Sequence, residues 1–88
     1  MLTSKDLDNL RHMLGAIPER YTAKQWGFRN YYASGKGGDA LESMHRLVNA
    51  GFARQGHESE SMIYFHATEE GCKAVGMNKA QIKRAFED

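Results

Sequence analysis

Residues 47–71 read LVNAGFARQGHESESMIYFHATEEG, and the fold turns on them. Leu47 and Val48 complete an apolar stripe begun by Leu41 and Met44, at the i, i+3, i+6, i+7 spacing of one helix face. Asp39 and Glu42, three apart at the head of the stripe, form a capping-box pattern, which predicts a helix over about 40–50. Gly51 stands where a left-handed residue ends a helix, and Phe52 can fold back on the last turn. Residues 52–55 and 62–67 are strand-like runs on either side of the polar tract 56–61, the pattern of a β-hairpin. Thr68 then caps a short helix running through Glu69 to about Val75, with Gly76 as its stop.

Upstream, Thr3 or Ser4 can cap a first helix over about 4–15, with Asp6 three residues after Thr3 and Leu7, Leu10 and Leu14 on one face. Gly15 and Pro18 end it. Residues 16–38 lack periodicity but hold five of the chain's nine aromatic residues (Tyr21, Trp26, Phe28, Tyr31, Tyr32), so a long loop pinned to the core is expected, with a short strand near 28–33. Downstream, Asn78 and Gln81 repeat the capping pattern ahead of Ile82 and Phe86, which predicts a last helix.

Eighty-eight residues suffice for one domain, 1–88, and can bury only about 60–65% of the unfolded chain's surface, which leaves little core for a deep catalytic cavity. The lone cysteine, Cys72, cannot form an intrachain disulfide, and the N-terminal MLTSKDLDNL has no basic then apolar pattern of a secretory leader. A cytoplasmic protein without a membrane segment is expected.

The order helix, loop, helix, hairpin, helix predicts an α+β, winged-helix-like domain with three or four helices and a two-stranded β wing. Residues 41–76 resemble the winged-helix regulators, in which a helix ending Leu-x-x-x-Gly-Leu runs into a wing that closes at Thr-x-x-Gly. Most of the chain also resembles a group of small phage and prophage proteins. The shared features are Phe28-Arg29-Asn30-Tyr31-Tyr32, Gly35-Lys36-Gly37-Gly38, Leu47-Val48-Asn49-Ala50-Gly51 and Thr68-Glu69-Glu70-Gly71. The resemblance implies a phage-related origin and no particular activity.

Twelve Lys+Arg against eleven Asp+Glu give a net charge of +1, but the charges are segregated. Residues 1–38 carry six cations and three anions, residues 39–60 two and four, and residues 61–88 four and four. The helix and wing that would read DNA are therefore acidic: Asp39, Glu42, Ser43, His45, Arg46 and Asn49 are expected outward on the helix, with Glu58 and Glu60 at the wing tip. Glycines at 27 and 35–38 also make 27–38 poor material for the supporting helix of a helix-turn-helix. A phosphate-contacting surface would have to draw on Arg20, Lys24, Arg29, Asn30 and Lys36, interleaved with aromatic rings, together with Arg46 and Arg54.

No enzyme signature accompanies these residues. The Gly35–Gly38 run lacks the spacing of a phosphate loop, and Asp39 already puts a carboxylate at the helix end. His12, His45, His57, His66 and Cys72 are too scattered for a zinc signature, Cys72 has no base beside it, and no cofactor is implied. Two non-catalytic functions are open: a small phage-related DNA-binding or regulatory protein, and a protein-interaction module acting on a host or phage protein without nucleic acid. Either is compatible with a monomer or a homodimer.

Overall fold

The computed structural model describes residues 1–87. Thr3 opens helix α1 (Ser4–Leu14): its hydroxyl accepts from the Asp6 amide while the Asp6 carboxylate accepts from the Thr3 amide, a complete capping box. Residues 17–28 form a chain of tight turns, and strand β1 (Tyr32–Ser34) follows. Helix α2 (Asp39–Asn49) leads into strands β2 (Ala53–Glu58) and β3 (Ile63–Ala67), then α3 (Glu69–Ala74) and α4 (Lys79–Ala85). The molecule is a small α+β domain of four helices and one three-stranded antiparallel sheet.

The sheet has three strands in the order β1-β3-β2, not the two of a simple wing. Tyr32, Ala33 and Ser34 pair with Phe65, Tyr64 and Ile63. The short strand expected near 28–33 thus lies at the C-terminal end of that range, and three residues are too few for alternation to mark its bounds or its partner. Asp39 and Glu42 do not form a capping box: Gly38 is the N-cap of α2 and no side chain caps it. Both carboxylates instead lie in the first turn, where they favour the positive helix end.

Alternation along β3 separates two faces. Ile63, Phe65 and Ala67 are buried under α1 and α2 with Leu10, Met13, Leu14, Met44 and Leu47, whereas Tyr64 and His66 point the other way and are half-buried. The Thr68-Glu69-Glu70-Gly71 motif locks the end of this sheet. The Thr68 hydroxyl donates to the Gly51 carbonyl (2.6 Å) and accepts from the Gly71 amide (3.1 Å). The Phe52 carbonyl accepts from the Thr68 amide (3.0 Å) and occupies the space that a Cβ on residue 71 would need. Glycine is thus required at 71 by close backbone approach.

Between α1 and α2 lies a buried polar network. The Asp6 carboxylate, fully buried, accepts from Ser43 Oγ (2.6 Å), Arg46 Nε (2.8 Å), Arg46 Nη2 (2.9 Å) and the Thr3 amide (2.9 Å). Asn9 Nδ2 donates to Ser43 Oγ (3.0 Å). Ser43 and Arg46 therefore do not both point outward as the helical wheel suggests: Ser43 is buried and Arg46 is half of an ion pair. The Arg46 guanidinium, above all, holds the Asp6 carboxyl well below the usual carboxylate range, against the opposing effect of burial.

Candidate nucleic-acid interface

The segment before β1 is held in place by backbone and side-chain bonds to three elements. The Gly27 and Tyr31 amides donate to the Leu14 and Met13 carbonyls at the end of α1 (3.0 and 3.1 Å). Asn30 extends the strand pairing with its side chain: Oδ1 accepts from the Ala67 amide (2.7 Å) and Nδ2 donates to the Ala67 carbonyl (3.3 Å). The Asn30 carbonyl in turn accepts from His66 Nδ1 (2.8 Å), and the carbonyl partner assigns the ring proton to that nitrogen. Asn30 is thus a structural clamp that fixes its neighbours Arg29 and Tyr31 beside the outer face of the sheet.

Helix α4 is fastened to the turns at 21–27. Gln81 Nε2 donates to the Ala23 carbonyl (2.7 Å), and Arg84 Nη1 donates to the Trp26 carbonyl (3.0 Å) and to the Lys24 carbonyl. These bonds bring Arg84 to the same place as Arg29 and, from β2, Arg54, whose register partner is His66. The three arginines border a cleft of about 430 Å³, together with Phe28, Tyr31 and Phe86. The Arg29 guanidinium lies 4.3 Å over the Tyr31 ring and donates through Nη2 to the Tyr31 carbonyl (3.0 Å), while its Nε–H is buried without an acceptor.

Among the described residues four Lys and Arg side chains are held in ion pairs, and none of the four lines this cleft. Lys36 pairs with Glu58 (3.0 Å), Arg46 with Asp6, Arg11 with Asp8, and Lys73 with Glu69 and Glu70. None of the ion pairs among the described residues involves Arg29, Arg54 or Arg84; the one carboxylate on the cleft is Glu87, at its rim. The positive surface continues past Phe28 and Arg84 into a smaller cleft lined by Lys24 and Tyr21, over whose ring Arg20 sits at 5.7 Å.

Of the residues expected at a phosphate-contacting surface, Arg29, Asn30 and Arg54 line the main cleft and Lys24 and Arg20 lie along its extension. Lys36 and Arg46 are elsewhere and already paired. Arg84 and His66 complete the cleft and were not singled out by the sequence. The hairpin register, with Arg54 opposite His66, offers a signal for the histidine; the return of α4 onto residues 21–27 has no local signal for Arg84.

The exposed face of α2 offers Asp39, Glu42, His45 and Asn49 and no uncompensated cation. Burial, with Glu69 adding to it, pushes the Cys72 thiol up to about 11, which leaves it an unreactive packing residue. No helix among the described residues is long and apolar enough to cross a membrane. Compared with protein-family models, curated proteins and solved structures, the chain matches none of them.

Proposed function

We propose that this is a non-catalytic nucleic-acid-binding protein of regulatory type, built on a winged-helix-like scaffold, that contacts its ligand through the Arg29–Arg54–Arg84 cleft and not through α2. The observation that carries this reading is the convergence of three uncompensated guanidiniums on one cleft walled by exposed rings. The strand order β1-β3-β2, with α2 running straight into the β2–β3 hairpin, supports the scaffold. The likeness to phage and prophage proteins supplies the biological setting. What differs from a helix-turn-helix reader is plain: β1 is followed by the Gly35–Gly38 turn and not by a supporting helix, and the α2 face is acidic.

Salt dependence tests the reading. Three phosphate contacts imply a slope of log K against log salt of about −2.1 to −2.7, or roughly a 20- to 40-fold loss of affinity between 50 and 200 mM salt. Anisotropy of a fluorescein-labelled oligonucleotide should show this slope, and Arg54→Glu should weaken binding and flatten the slope. Undetectable binding of both duplex and single strand at 20 mM salt refutes it. The second reading, a protein-interaction module, draws on the acidic α2 face and would then stand alone; Glu42→Lys would be the charge reversal that weakens it.

A further inference from the structure

The chemistry of the cleft is specific about the kind of nucleic acid it fits. Among the described residues the exposed large apolar side chains are Met1, Phe28, Tyr31 and Phe86, and the last three all line this cleft. They are 51%, 45% and 48% exposed, in a domain small enough to need its large side chains for the core. In a duplex the faces of the bases are stacked inside, so exposed rings find nothing to cover there; phosphate contact and groove-edge reading use charged and polar groups. Unpaired bases stack on such rings whatever their identity.

A ring row also leaves the cleft along the outer face of the sheet. Tyr64 lies with its centroid 6.4 Å from that of Tyr31, and His57 with its centroid 6.1 Å from Tyr64. Helices α1 and α2 pack on the opposite side of the sheet, that of Ile63, Phe65 and Ala67. Resting on the nucleic-acid reading above, we infer that the ligand is single-stranded. A phosphate sits among Arg29, Arg54 and Arg84, the adjoining unpaired base stacks in the cleft against Tyr31 or Phe86, and the strand runs on over Tyr64 and His57.

The test is anisotropy at 50 mM NaCl with labelled dT12, labelled rU12 and a labelled 12-base-pair duplex on the full chain. The single strands should bind at least tenfold more tightly than the duplex. Tyr31→Leu, which keeps an apolar side chain, should cost the single strands roughly 5- to 100-fold with the salt slope unchanged. Arg54→Gln should weaken binding and reduce the slope by about 0.7. Circular dichroism confirms that each variant is folded. Equal or tighter duplex binding, still lost in Arg54→Gln, overturns the single-strand inference and leaves the nucleic-acid reading standing. Tight single-strand binding indifferent to both Tyr31→Leu and Phe86→Leu overturns the stacking role and the inference with it. Absence of binding to all three probes removes both readings.

Discussion

Asp6→Asn is the sharpest test of the α1–α2 junction. The wild-type carboxylate is fully buried and accepts four hydrogen bonds, two of them from the Arg46 guanidinium and one from the Thr3 amide of the capping box. An asparagine keeps the shape but brings an NH2 group into a site made of donors, so at least one of those partners loses its acceptor. Hydrogen bonds to charged groups are worth about 1.5–3 kcal/mol, and loss of a cap about 1 kcal/mol. Because Arg46 can turn to water, a net cost of about 3 kcal/mol is expected. For a domain of this length that lowers the melting temperature by roughly 12–24 °C, and removes a large share of a stability of about 4–13 kcal/mol.

The sign of the pH dependence is fixed by the direction of the shift. The Asp6 carboxyl is lowered in the folded state from an ordinary value of 3.8, so its contribution is complete above that value and is lost as pH falls. At pH 2.5 the unfolded chain has taken up the proton while the folded chain resists it, which removes about 2 kcal/mol of the wild-type advantage. Thermal melts by circular dichroism at pH 7 and pH 2.5 should therefore show a wide gap between wild type and variant that narrows in acid. A variant melting within about 4 °C of wild type at pH 7, or a gap as wide at pH 2.5, refutes the reasoning.

Arg46→Met should lower the melting temperature at pH 7 by stranding the buried Asp6 carboxylate, yet leave oligonucleotide affinity within about twofold of wild type; a tenfold loss in the folded variant would return Arg46 to the interface. Gly71→Ala should cost about 2 kcal/mol or more in urea unfolding, because a Cβ there collides with the Phe52 carbonyl, a backbone group with no side-chain freedom to yield. Cys72 should resist iodoacetamide at pH 8 in the native protein and react only as fast as the domain opens, since its thiol is buried and its pKa is raised. Labelling at the rate of a free thiol would contradict that burial.

The helices were legible because their ends carry local chemistry. Thr3 with Asp6, Thr68 with Gly71 and Asn78 with Gln81 each close bonds within three residues, and Gly15, Gly51 and Gly76 are left-handed next to the ends they mark. The same rule misled at Asp39 and Glu42, where an acidic pair at the right spacing serves the helix dipole while Gly38 takes the cap position. The short strand expected near 28–33 overlaps β1 (Tyr32–Ser34), but its pairing with β3 was not legible because the partner is about thirty residues away and the strand is three residues long. The site was half legible: Arg29 and Tyr31 could be seen as neighbours in sequence, but their meeting with Arg54 and Arg84 depends on Asn30 clamping Ala67 and on α4 returning to residues 21–27.

Pairing, more than counting, decides which charges a small domain can offer. A net charge of +1 suggests no electrostatic function, and segment sums point to the first 38 residues as the basic region. Yet two of that region's cations, Arg11 and Lys36, are matched by Asp8 and Glu58, and the cation of the most DNA-reader-like helix, Arg46, is consumed by Asp6. What remains unmatched at the cleft comes from three separate parts of the chain: the segment before β1, strand β2 and helix α4. At physiological salt, charges separated by more than about 8 Å are screened from one another, so a phosphate responds to this local cluster and hardly to the total. A nearly neutral protein can in this way offer a locally cationic surface, and Arg29, Arg54 and Arg84 do so where the exposed rings are gathered, which is why we propose that cleft as the binding site.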